Sequence, residues 1–145
     1  MLKSSWIAGV AGATTLTLIH QTARLVTDKA PRMDVLGRRA LRPLTDKLGL
    51  GHDSSQAQGL ALAGDLISNS IYYAAVGWGR PQTVWQRGAA LGAAAGLGAI
   101  TLPQLMGLGH RPQARTWETR MMAFSWYFIG GLAAAGAWQV WKKRS

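Results

Sequence analysis

Six side chains combine the acid, base and cationic character that chemistry in a membrane-sized protein would use: His20, Arg24, Asp65, Asn69, Glu118 and Arg120. A carboxylate beside an imidazole can relay a proton, and guanidiniums hold phosphate or other oxyanions through charge-assisted hydrogen bonds. His20 and Arg24 lie one helical turn apart, as do Asp65 and Asn69. Ser68 and Ser70 flank Asn69, making residues 64–70 the most polar stretch inside any apolar segment. An ionisable group in such a segment costs several kcal/mol unless paired or wetted, so Asp65 needs a partner or a water-filled cavity. An Asp65–Arg24 or Asp65–His20 tie would supply one and fix helix register. The same groups could instead form a proton relay or a polar-headgroup site, with Arg24 and Arg120 on an anion.

The segments that must position these residues are long and apolar. Residues 5–26, 56–78, 83–108 and 117–141 each meet the roughly 20-residue requirement of a hydrocarbon core about 30 Å thick. The expected fold is all-α: an integral membrane four-helix bundle forming a single domain over residues 1–145. Mean hydropathy is only +0.05 because the spans use Ala and Gly in place of Leu and the first link is strongly charged. Counting along the spans puts His20 and Asp65 at similar depth, about 9 to 14 Å inside. The apolar run before Ala13 is short for a signal peptide, so the first segment reads as a retained helix.

Four crossings would place both termini and the turn at Arg80-Pro81 on one side, face one. The long first link and the 110–116 link would share the other side, face two, with every acidic residue and histidine toward it. Trp6, Trp78, Trp85, Trp138 and Trp141 then fall at face one and Trp117 at face two, as interfacial belts require, with Tyr72 and Tyr73 reading as further anchors. Ten of the sixteen Lys and Arg residues lie on face two, which points to a cytoplasmic face two in a bacterial-type inner membrane. The Lys142-Lys143-Arg144 tail pulls the other way.

Within the first link, Met33, Leu36, Ala40, Leu44 and Leu48 recur at spacings of three and four, with Arg32, Arg38, Arg39, Arg42 and Lys47 on the other side. This pattern predicts a basic amphipathic helix over about 31–49, lying on the bilayer and attracting anionic lipid. Pro31 suits its first turn, Pro43 should kink it, and Gly49 or Gly51 can end it. Gly88, Gly92 and Gly96, each one turn apart, give the third span a face for close helix packing, within the chain or in a homo-oligomer.

Composition narrows the function. A net charge of +10 and a pI near 11.2 raise nucleic-acid binding, but no reader motif accompanies the charge, which gathers at span ends where headgroups would meet it. There is no cysteine, so thiolate metal sites and cysteine nucleophiles are out. The three histidines lack close spacing, so no metal site is expected, and no cofactor is announced. His52 and His110 read as solvated link residues. Three classes remain: an assembly or lipid-associating membrane protein without a catalytic motif, a homo-oligomeric transporter of a small solute, ion or lipid using Asp65 and His20, and an enzyme acting on a lipid headgroup. The first is the expectation.

Overall fold

The computed structural model describes residues 2–51, 54–108 and 116–144, all helix and connecting turns with no strand among them. His52 and Asp53 of the first link, and residues 109–115 around His110, lie outside the described residues. Five α-helices follow in order: α1 (Leu2–Val26), α2 (Met33–Lys47), α3 (Ser55–Ala74), α4 (Val84–Leu105) and α5 (Trp117–Arg144). Short 3-10 turns extend α3 through Ala75–Gly77 and lead into α4 at Pro81–Thr83.

Small residues decide which helices touch. α1 runs between α3 and α5, and α4 packs on the far side of α5. Gly9 of α1 lies against the backbone of Ser70 and Ala74 in α3, while a Cβ on Gly12 would stand 2.7 Å from the Gly130 carbonyl of α5. Gly88, Gly92 and Gly96 press α4 onto α5: added Cβ atoms would meet Gly131 O at 2.6 Å, Phe128 Cα at 2.7 Å and Phe124 Cα at 2.9 Å. Without Cβ atoms the backbones come close enough for dispersion to hold them together, the force that operates between helices in lipid. The glycine face of α4 is therefore occupied within the chain.

Larger side chains fill the centre. Leu16, Tyr73, Val76 and Val84 are fully enclosed and join Tyr127, Ala134, Ala135 and Trp138 in the core. Two aromatic expectations change here. Tyr73 is completely buried and donates its hydroxyl to Tyr127 O at 2.7 Å, while Tyr72 donates to Leu91 O at 2.8 Å. Tyr73 thus ties α3 to α5 in the core rather than anchoring at an interface, and Tyr72 ties α3 to α4. Trp138 is 3% exposed, whereas Trp6, Trp78, Trp85 and Trp141 keep open faces.

Two helices, Pro81–Leu105 and Trp117–Arg144, are long and apolar enough to cross a membrane by length and composition. The sequence expectation of four such spans is met only in part. α1 carries Ser4, Ser5, Thr14, Thr15, Thr17, His20 and Gln21, and α3 carries Gln56, Gln58, Asp65, Ser68 and Asn69, which dilute their apolar character.

The first link closes one end of the bundle. α2 begins at Met33, so Pro31 precedes the helix instead of opening it, and the helix runs through Pro43 to Lys47. Gly49 ends it with φ +65°, its N–H donating to Asp46 O while Leu50 donates to Thr45 O. This paired closure satisfies the last carbonyls and needs the left-handed conformation glycine allows. Gly37 and Leu41 of α2 face Ala61 and Gly64 of α3. Thr119 Oγ1 at the start of α5 donates to Lys29 O at 3.0 Å, and Arg39 donates to Leu108 O just beyond α4 at 3.0 Å. At the opposite end, Arg87 donates to Val76 O at 2.9 Å and Arg80 O at 2.8 Å, holding the α3–α4 turn together.

Candidate functional site

Between α1, α2 and α3, under the closing link, lies a cavity of about 420 Å³. α1 contributes Thr17, His20, Gln21 and Arg24; α2 contributes Met33, Asp34 and Arg38; α3 contributes Gln58, Gly59, Leu62 and Asp65. Three of the six sequence candidates, His20, Arg24 and Asp65, thus line one space.

Helix register explains how they are arranged. α1 and α3 run antiparallel with Gly9 against Ser70 and Ala74, so Asp65 falls level with Leu16 and Thr17, and Arg24 falls level with Ala57 and Gln58. At 1.5 Å per residue, Asp65 lies about 6 Å deeper than His20 and about 12 Å deeper than Arg24. The direct ties expected from sequence do not form. Asp65 accepts a hydrogen bond from Asn69 Nδ2 at 3.0 Å, its only side-chain partner among the described residues. His20, 5% exposed, sits edge-on to Trp126 and Tyr127 of α5, with ring centroids 5.1 and 5.8 Å away.

Arg24 turns to Asp34, a residue that sequence reasoning passed over. Arg32 takes both Asp34 oxygens, Nε to Oδ1 at 3.0 Å and Nη2 to Oδ2 at 3.1 Å, while Arg24 and Arg38 approach Oδ2 at 3.4 Å each. Partial burial opposes ionisation of Asp34, but the Arg32 hydrogen bonds and the Arg24, Arg32 and Arg38 charges prevail and hold its carboxyl below the usual range. The same hydrogen bonds and charge raise the Arg32 guanidinium. The signal was present in the sequence, since Asp34 stands one turn before Arg38 on the predicted helix. That Arg24 would reach it from another helix was not readable.

The remaining candidates lie apart. Glu118 pairs with Lys29 at 3.3 Å on the exposed start of α5, and neither it nor Arg120 lines the cavity. Arg32 just before α2 and Arg39, Arg42 and Lys47 on it are exposed, and Arg42 pairs loosely with Asp46 at 3.9 Å, whereas Arg38 turns inward. Leu44 and Leu48 of the apolar stripe are 46% and 57% exposed, since the neighbouring flank, Gly37, Leu41 and Thr45, is the one turned to protein.

The deep half of the cavity holds polar atoms without mates. Thr17 Oγ1 and His20 Nε2 are buried and lack a hydrogen-bond partner among the described residues. A buried polar atom left unbonded costs about 1–3 kcal/mol, so two in one cavity, beside the Asp65 carboxylate, prepare it for a polar guest. Among the described residues no group of three His, Asp or Glu side chains is placed to hold a metal ion.

The fold and site together define an all-helical protein with two candidate membrane spans and one polar, arginine-rimmed cavity. The chain matches no protein-family model, no curated protein and no solved structure.

Proposed function

We propose that this chain is a small polytopic membrane protein of the lipid-associating type, crossing the bilayer with α1, α3, α4 and α5 as a four-helix bundle. α2 lies at the face-two interface, its Leu36, Ala40, Leu44 and Leu48 stripe toward acyl chains and Arg32, Arg39, Arg42 and Lys47 toward anionic headgroups. The face-two side is cytoplasmic in a bacterial-type inner membrane, following the excess of Lys and Arg there.

The observation that carries the reading is the exposed surface of α2. Its inner flank is already committed to α3, yet large leucines and four basic side chains remain uncovered on the rest of the helix. A lipid surface matches both at once. The exposed leucine and isoleucine side chains of the long helices, among them Leu18, Ile67, Leu97, Leu102 and Ile129, support the crossings.

The absence of cysteine makes the topology directly testable. Single cysteines at Gly51 and Thr116 should react with an impermeant reagent from the same side of sealed vesicles, and one at Gly79 from the other. Labelling of Gly51→Cys and Gly79→Cys from one side, or solubility without detergent, would refute the four-span reading. Co-purified phosphatidylglycerol should fall in Arg42→Gln/Lys47→Gln, and unchanged retention would refute the α2 assignment.

A transporter reading has one observation in its favour, Asp65 and His20 in a common cavity; flux in proteoliposomes that is lost in folded Asp65→Asn would promote it. Nothing comparable supports the enzymatic reading, since His20 is walled by Trp126 and Tyr127 and has no activating partner among the described residues.

A further inference from the structure

The cavity carries its charges at two ends. Arg24 and Arg38 stand at the end under the closing link and Asp65 at the deep end, about 12 Å from the Arg24 level along the helix axis. Arg32 holds both oxygens of Asp34 at 3.0–3.1 Å, so the 3.4 Å contacts of Arg24 and Arg38 to that carboxylate are the weaker ones. For Arg24, Asp34 is the only partner among the described residues. Arg24 therefore keeps capacity for a second anion, and the positive charge of Arg38 lines the same end of the cavity. The deep end presents acceptors instead: the Asp65 carboxylate, Thr17 Oγ1, and His20 Nε2 in the tautomer that carries its proton on Nδ1.

A ligand suited to both ends has an anion and a cation separated by a short linker. A primary ammonium brings three N–H donors, the number of acceptor groups at the deep end, whereas a quaternary ammonium brings none. The volume, about 420 Å³, lies in the range of about 300–1,000 Å³ usual for small-molecule sites. One side is open through α3: a Cβ on Gly59 would meet nothing within 4 Å, and Leu62 beside it is 44% exposed. An opening on the outer surface of a helix that crosses the bilayer admits a ligand from the lipid.

We propose that this cavity binds the headgroup of an aminophospholipid, its phosphodiester on Arg24 in the positive field that Arg38 shares and its primary ammonium on Asp65, Thr17 Oγ1 and His20 Nε2. The assignment rests on the lipid-associating reading and narrows it from a surface attraction for anionic lipid to a seat for one headgroup chemistry. Glycerol and acyl chains leave through the Gly59–Leu62 side.

The test is native mass spectrometry of the purified full chain with equimolar phosphatidylethanolamine, phosphatidylcholine and phosphatidylglycerol. Phosphatidylethanolamine should be retained about tenfold over phosphatidylcholine, the loss expected when charge-assisted hydrogen bonds to a buried group cannot form. Asp65→Asn, isosteric and checked for an unchanged thermal midpoint, should bring that ratio near one without altering phosphatidylglycerol retention. Equal retention of the two zwitterionic lipids by the unaltered protein overturns the proposal without any variant, as does a preference that survives Asp65→Asn. Displacement of the lipid by glycerophosphoethanolamine at matching concentration would make the ligand a soluble zwitterion and overturn the bilayer source. If phosphatidylglycerol is retained while the headgroup preference is missing, only this inference fails; if no lipid of any class is retained, the broader reading fails with it.

Discussion

Asp34→Asn removes one carboxylate from among three guanidiniums, and the structure sets the size of the effect. At an effective dielectric of about 20, an ion pair at 4 Å carries about 4 kcal/mol of attraction before desolvation and side-chain ordering are subtracted. Exposed pairs net about 0–1 kcal/mol, while breaking a fully buried pair costs about 3–5. The Asp34 side chain is 16% exposed and its partners range from 20% for Arg38 to 44% for Arg32, between those limits. We therefore expect Asp34→Asn to cost about 2 kcal/mol at pH 7, partly because Arg24 then loses its carboxylate partner. The sign of the pH dependence follows from the depressed carboxyl. Asp34 contributes its full stabilisation above its unfolded value, about 3.9, and loses it as pH falls through the lower folded value. Equilibrium unfolding in mixed micelles between pH 7 and pH 2.5 should show the unaltered protein and the variant converging in acid. Adding Arg24→Gln to Asp34→Asn should recover part of the loss, a coupling that a double-mutant cycle reads directly. Equal stability of the two proteins at pH 7, or a gap that does not narrow as pH falls from 7 to 2.5, would refute the account of the cluster.

Two further outcomes concern the helix contacts. Gly92→Ala should destabilise by about 1–3 kcal/mol, since the new Cβ would lie 2.7 Å from Phe128 Cα and force the backbones of α4 and α5 apart. Gly64→Ala, where the nearest atom is Leu41 Cδ1 at 3.9 Å, should instead gain up to about 1 kcal/mol from helix propensity; a thermal shift of the same sign for both would refute the packing argument. Tyr73→Phe should cost about 1–2 kcal/mol by leaving the buried Tyr127 carbonyl without its 2.7 Å hydrogen bond, and an unchanged denaturant midpoint would count against that tie.

Periodicity made some of this readable and left the rest hidden for a physical reason. Spacings of three and four around Met33 and Leu36 marked α2, and Gly49 or Gly51 marked its end, because both depend on residues within one turn of each other. The glycine row of α4 announced close packing by the same local logic. Depth counting, by contrast, treated His20 and Asp65 as level neighbours, whereas the seating of Gly9 on Ser70 and Ala74 slides the two helices so that Arg24 passes Asp65 by more than two turns. Register between helices is set by contacts far apart in sequence, which one chain's pattern does not encode. Tyr73 and Trp138 were misread for a related reason: an aromatic near a helix end suits an interfacial belt or a buried core, and only the neighbouring helix decides.

The position of α1 has a consequence for how the molecule comes into being. α1 is synthesised well before α5, yet one of its two glycine-bearing sides is built to fit α5. Until α5 has been made, Gly12 can meet Tyr73 of α3 but neither Gly130 nor Ala134, and a chain stalled before Trp117 would display that half-covered surface to whatever chaperone or neighbouring protein is at hand. Closure of the α1–α5 contact thus waits until synthesis has passed α5.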